Sequence, residues 1–114
     1  MGTHEYEDDP RNETVLISVN GELFPRGEAM VSVFDAGFLL GDGVWESFRL
    51  HEGKLVFIEE HMDRLFRGAS EISLEPGKSR TQILDEIDRV ISANEMHDQV
   101  HLRLIISRGL KPTP

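Results

Sequence analysis

Cysteine is absent from the 114 residues. That excludes disulfides, thiolate nucleophiles and cysteine metal sites, and suits a reducing, cytoplasmic setting. Basic residues are scarce, 12 Lys and Arg against 21 Asp and Glu, for a formal net charge of −9. A chain so acidic lacks the clustered cations that nucleic-acid backbones or anionic lipid would need, so neither is an expected partner. No apolar run approaches the ~20 residues of a membrane-spanning helix. The opening stretch, Met1 to Pro10, is acidic and has no hydrophobic segment of the kind a signal peptide carries. Residues 1–13 therefore read as a loose acidic tail. Also missing are zinc-type histidine spacing, a calcium-loop ligand series, a serine elbow and a dinucleotide fingerprint. Gly41-Asp42-Gly43 lacks both the third glycine and the following helix of the last of these.

What remains is an ordinary globular composition in a chain long enough for one domain. Val15, Ile17 and Val19 alternate with Leu16 and Ser18, which is strand spacing, and Asn20-Gly21 is the strongest short hairpin signal before Glu22-Leu23-Phe24 returns. After the apolar run 30–34, Asp35 to Gly43 reads as a glycine-punctuated loop. Val44 to Leu50 reads as a strand, 51–54 as a turn and Leu55 to Phe57 as the returning strand. Ile58, Met62, Leu65, Phe66, Ala69 and Ile72 form one helical stripe, ended by Pro76-Gly77. Ser79 and Gln82 make a capping box for a second amphipathic helix built on Ile83, Leu84, Ile87, Val90 and Ile91, with an Asp85/Arg89 pair along its side and Asn94 near its end. Val100 to Ser107 alternates cleanly as a late strand. These elements predict an α+β domain over 14–109, two helices covering one face of a mainly antiparallel sheet, with 110–114 starting a linker.

Three places could carry chemistry. Strand alternation puts Trp45, Ser47, Arg49 and His51 on one face, against Val44, Glu46, Phe48 and Leu50 on the other. Trp45 and Arg49 then make an aromatic wall beside a cation, or an unremarkable exposed pair. On the late strand His101 and Arg103 share a face about 7 Å apart, suited to a carboxylate or simply to solvent. Arg64 flanks the apolar stripe of the first helix, with Gly68 leaving room beside it. It could bind a phosphate or pair with Glu60 one turn away. The stripe itself does not use the guanidinium, so its removal is expected to leave the fold intact.

Four segments in order, Val33-Phe34-Asp35-Ala36-Gly37-Phe38, Leu40-Gly41-Asp42-Gly43-Val44-Trp45-Glu46, Glu59-Glu60-His61-Met62-Asp63-Arg64-Leu65 and His101-Leu102-Arg103-Leu104 to Ser107-Arg108-Gly109, resemble the opening domain of the fold-type IV, or class IV, aminotransferases. That family includes branched-chain and D-amino-acid aminotransferases and aminodeoxychorismate lyase. The resemblance implies pyridoxal 5′-phosphate (PLP) as cofactor and Arg64 as the residue holding its phosphate. It also implies Trp45, Arg49, His101 and Arg103 in the substrate pocket, a small amino acid and a 2-oxo acid as substrates, and a homodimer. His101 stands where branched-chain enzymes usually carry tyrosine, and residues 109–114 lack the Arg-x-His trap of D-amino-acid enzymes. The lysine that bonds the cofactor lies in a downstream domain of the family. None of Lys54, Lys78 and Lys111 falls at its position, so no catalytic residue is assigned within the chain. The same scaffold is compatible with an aminodeoxychorismate-lyase-like elimination enzyme, or with a module that has lost the chemistry.

Overall fold

The computed structural model describes residues 8–112. Its strands form two antiparallel sheets, β1 (Leu16–Val19) with β2 (Glu22–Pro25), and a three-stranded sheet. In the first, Asn20 and Gly21 have φ of 53° and 82°. Positive φ at both central residues is the type I′ geometry that matches strand twist, which is why Asn-Gly closes this hairpin. Residues 30–34 join no strand. Asp35 to Gly43, expected as loop, contains a five-residue helix, α1 (Ala36–Leu40). The Asp35 carboxylate makes the difference: it accepts from the backbone N–H groups of Gly37 and Phe38 and so caps the helix. Gly41 ends it in the left-handed conformation.

The three-stranded sheet has the order β4-β3-β5, with β3 (Gly43–His51) at its centre between β4 (Lys54–Leu55) and β5 (Val100–Ser107). β5 pairs along its whole length with β3, from Gly43 opposite Ser107 to Leu50 opposite Val100. Gly43 permits the close approach, because a Cβ there would lie 2.6 Å from the Ile106 carbonyl oxygen. β4 is shorter than the strand expected to reach Phe57. Phe57 turns to φ 54° and leads straight into α2 (Ile58–Glu71), so the strand ends at Leu55.

The core lies between one face of this sheet and two helices, α2 and α3 (Arg80–Asn94). Phe48 of β3, Met62 and Leu65 of α2, and Ile83 and Ile87 of α3 form its buried centre. The capping box of Ser79 and Gln82 starts α3 as the spacing predicts. Arg89, however, pairs with Glu86 at 2.7 Å rather than with Asp85, since Glu86 faces the β1-β2 hairpin, where it also accepts from the Ser18 hydroxyl. Asn94 closes the last turn and reaches across to the hairpin. Its side chain accepts from the Leu16 N–H and donates to the carbonyls of Leu16 and Val90. No helix among the described residues is long and apolar enough to cross a membrane.

Both ends differ from expectation. Residues 1–7 of the expected tail lie outside the described residues, but Pro10–Thr14 form a 3₁₀ helix capped by Asp9. Arg11 fastens that turn to the carbonyls of Asp98 and Gln99, at 2.9 and 3.0 Å. At the other end, Gly109 accepts from the Ala36 N–H and Lys111 donates to the Phe34 carbonyl. The first residues of the expected linker are thereby laid along the start of α1.

Asn94→Ala removes the hairpin's polar tie to α3 and strands the Leu16 N–H. A loss of about 1–3 kcal/mol in chemical denaturation is expected. A loss within experimental error would mean that apolar contact alone seats the hairpin.

Candidate functional site

β3 divides the candidate residues between its two faces. On the open face, the register sets Ser47 opposite Arg103 and Arg49 opposite His101, while Trp45 stands opposite Ile105. Trp45 and Arg103 are thus diagonal neighbours, within reach for long side chains. The Arg103 guanidinium lies 4.1 Å from the centre of the Trp45 ring, a cation–π contact. Such a contact is worth about 0.5–1 kcal/mol at an exposed site. Trp45 is 53% exposed, and Ile105 beside it is also exposed. The structure brings Trp45, Arg49, His101 and Arg103 onto one surface. Alternation within each strand was legible in the sequence, but the partnership and register of two strands fifty residues apart were not. Of the surface hollows lined by Arg11 and Met96, His101 borders one, and neither touches Trp45, Arg49, Arg103 or Arg64.

Arg64 belongs to the helix-covered face. Its partner is not Glu60 but Glu46, whose carboxylate is 4% exposed and accepts from Arg64 Nε and Nη2, both at 2.8 Å. His61, one turn earlier on α2, approaches the same carboxylate through Nδ1 at 2.6 Å. Its ring also packs on Phe48, with centroids 5.6 Å apart. The Arg64 hydrogen bonds hold the Glu46 carboxyl below the usual glutamate range, against the opposing effect of burial, and His61 adds to the lowering. An ionised carboxylate only accepts, so Nδ1 of His61 carries the proton between them. Arg64 is itself shifted upward by Glu46.

This arrangement gives the Arg64 guanidinium a buried partner, which the expectation that it is dispensable to the fold did not include. Glu46 is the one buried charged or polar residue among those described, and Arg64 supplies two of its three hydrogen bonds. A trace of this was present in the sequence. Alternation puts Glu46 on the apolar side with Phe48 and Leu50, where a carboxylate needs a partner.

Arg64 fits a phosphate. Its side chain is 63% exposed, and Nη1 has no hydrogen-bond partner among the described residues. A covalent anchor for an aldehyde cofactor is a different matter. Lys54, Lys78 and Lys111 are all exposed, none in a pocket that would desolvate an ammonium. Beyond Leu50 and His51, which pair with β4, the same edge of β3 has no strand partner in the described sheet.

The family model described as amino-transferase class IV matches residues 43–113, more than half of the chain and the stretch that contains β3, both long helices and β5. The chain belongs to the class IV aminotransferases. It is 40% identical over 104 residues to branched-chain-amino-acid aminotransferase-like protein 1 of Arabidopsis thaliana, covering 91% of this chain and 19% of that protein. Aminodeoxychorismate lyase of Bacillus subtilis (strain 168) is 38% identical over 96 residues, covering 83% of this chain and 33% of the lyase. Among solved structures, a hypothetical aminotransferase from Mycobacterium tuberculosis in its PLP-bound form superposes with a TM-score of 0.66 at 25% identity, covering 81% of this chain and 33% of that one. The chain thus spans between about a fifth and a third of the length of these class IV relatives.

The ion bridge makes stability depend on acid. Because the folded Glu46 carboxyl binds its proton more weakly than the unfolded one, the bridge contributes fully above the ordinary glutamate value of about 4.3 and is lost as pH falls below it. Glu86, chiefly by its hydrogen bonds from Arg89, and Asp98, chiefly by the Glu52 backbone N–H, are also held below their usual ranges and add to the acid dependence of wild type and Glu46 variants alike. The difference between wild type and Glu46→Gln isolates the bridge: the two denaturation curves should converge as pH drops from 6 toward about 3. A constant gap across that range would assign the difference to packing.

Proposed function

We propose that this chain is the smaller domain of a PLP-dependent aminotransferase that moves an amino group between a small amino acid, branched-chain or D-, and a 2-oxo acid. The observation that carries the reading is Arg64, docked through one edge on a buried carboxylate and open at the other. That open edge suits the cofactor's phosphate, by charge-assisted hydrogen bonds worth roughly 1.5–3 kcal/mol. PLP, when bound, supplies the electron sink that labilises bonds at an amino acid's α-carbon. The residues of this chain bind and orient. Arg103 and Arg49 offer guanidiniums to a substrate carboxylate, Trp45 walls the space beside them, and His101 sets the character of the neighbouring surface.

The lysine and the partner of the pyridine nitrogen belong, in this reading, to a second domain of the full-length protein. That protein is proposed to be a cytoplasmic homodimer. Met30, Val31, Val33, Phe34, Phe38 and Leu40, all more than half exposed, supply apolar surface for a larger assembly to cover. A second reading, elimination of the aminodeoxychorismate-lyase kind, is supported by the similarity to the Bacillus subtilis lyase. A non-catalytic interaction module is the alternative outside enzymes.

Two experiments separate these. In the full-length protein, exchange of amino groups between branched-chain or D-amino acids and 2-oxo acids supports the aminotransferase. Release of pyruvate from aminodeoxychorismate supports the lyase, and absence of both activities supports the module. The 114-residue chain alone, mixed with PLP and reduced with borohydride, is expected to show no stoichiometric labelling of one lysine and no turnover. Labelling of a single lysine with turnover would make it a complete enzyme.

A further inference from the structure

Glu46 poses a question that stability does not answer. A carboxylate on the core face of a strand, between Val44 and Phe48, costs desolvation, and an apolar side chain of similar volume often serves such a position as well or better. What an apolar residue cannot do is fix a guanidinium. Arg64 has four rotatable side-chain bonds and its side chain lies largely in water, so without a partner its head would sample many positions. Glu46 takes Nε–H and one N–H of Nη2, the side-on edge, using two of the five donors of the fork. The end-on edge, Nη1 and the second proton of Nη2, is left facing outward and preset. His61 completes the clamp. By donating from Nδ1 to the oxygen that also accepts Nη2, it fixes the rotation of the carboxylate itself.

We propose that Glu46 is a positioning residue for phosphate recognition: with His61 it docks the side-on edge of Arg64 and presets the end-on edge for two hydrogen bonds to a phosphate monoester. The proposal rests on the reading of Arg64 as the phosphate anchor. It adds that anchoring depends on a buried carboxylate which does not touch the phosphate, and which carries a charge opposed to binding it. Electrostatics alone would predict that removing Glu46 tightens phosphate binding, since a negative charge beside the anion disappears. Preorganisation predicts the reverse, because each immobilised long side chain costs binding free energy that Glu46 has already met in the free protein. The two effects have opposite signs, so the measurement decides between them.

The test uses this chain and pyridoxamine 5′-phosphate, which has no aldehyde to react with surface lysines, with pyridoxamine as the control lacking phosphate. Binding is followed by nuclear magnetic resonance titration, which also reports the Arg64 Nε–H signal in the absence of ligand. Glu46→Met fills the core site without charge, and a thermal melt confirms that it folds; Glu46→Gln serves if it does not. The expected result is phosphate-ester affinity weakened by about tenfold, the order expected for freeing one long side chain. Pyridoxamine binding should be unchanged, and the Nε–H signal should become exchange-broadened. Equal weakening for both ligands would make Glu46 merely structural and overturn the proposal. Tighter phosphate-ester binding would overturn it in favour of electrostatics, and unchanged binding would overturn it as well, since Glu46 would then have no net effect on the anchor. Arg64→Ala, checked by the same thermal melt and by unchanged pyridoxamine binding, with Arg64→Lys in its place if it does not fold, tests the underlying reading separately: if it leaves phosphate-ester affinity at the wild-type value, Arg64 is not the anchor and both ideas fall. Loss in Arg64→Ala without loss in the Glu46 variants removes only the positioning role.

Discussion

The side chain of Glu46 joins the central strand to the helix that packs on it. Its carboxylate is held by two residues of α2 three positions apart, so strand and helix are fixed in register as well as in contact. Apolar packing of Phe48, Met62 and Leu65 is non-directional and would tolerate a small slide of α2 along the sheet. A three-point hydrogen-bonded bridge would not, because each bond loses strength steeply with misalignment. The cost is a charge out of water, which the structure meets by giving the carboxylate two cationic or donor partners and keeping one of them, Arg64, at the solvent boundary. The bridge therefore does two jobs with one set of atoms: it sets the pose of α2 and the pose of the guanidinium.

From β3 outward, the period of two along a strand sorts the candidate residues. Glu46 faces the helices and reaches Arg64, whereas Trp45 and Arg49 face away and meet Arg103 and His101 across the strand pair. In the proposed enzyme, cofactor anchoring and substrate recognition would then be separated by one residue of sequence and by the thickness of a sheet. A ligand touching both must pass an edge of that sheet, and β4 leaves most of one edge of β3 without a strand partner.

How much of this was readable from the sequence followed from how local each signal is. The Asn20-Gly21 turn, the Ser79–Gln82 capping box and the alternation of Trp45 with Glu46 depend on neighbours within a few positions, and each appears as expected. The segment resemblance likewise pointed to the family that the comparisons establish. What misled was competition between possible acidic partners. Arg64 had Glu60 one turn away yet pairs with Glu46, which tertiary contact brings nearer, and Arg89 had Asp85 but takes Glu86, three positions before it on the same helix and turned toward the hairpin. Helical spacing gives a list of possible partners, while burial decides among them: Glu46, shut off from water, has more to gain from Arg64 than exposed Glu60 does. The register that stacks Arg103 over Trp45 lay beyond any local rule, because nothing in either strand alone specifies it.

The helix α1 shows the same logic where the sequence suggested a loop. Five residues cannot sustain a helix in water by propensity, since nucleation is not repaid over so short a length. Its existence depends on polar ties from elsewhere. Asp35 caps its start and accepts from the Ser107 hydroxyl at 2.7 Å, Gly109 accepts from the Ala36 N–H, and Arg108 binds Asp42 and the carbonyls of Ile72 and Ser73 beyond the end of α2. These bonds order the helix without burying most of it, and Phe38 and Leu40 remain turned outward. Ordering apolar side chains in water gains nothing by itself, because their entropy is lost and no surface is removed from solvent. The polar lattice around Asp35 thus offsets the cost of holding an apolar surface in one shape, which is the condition under which such a surface can dock without reorganising first.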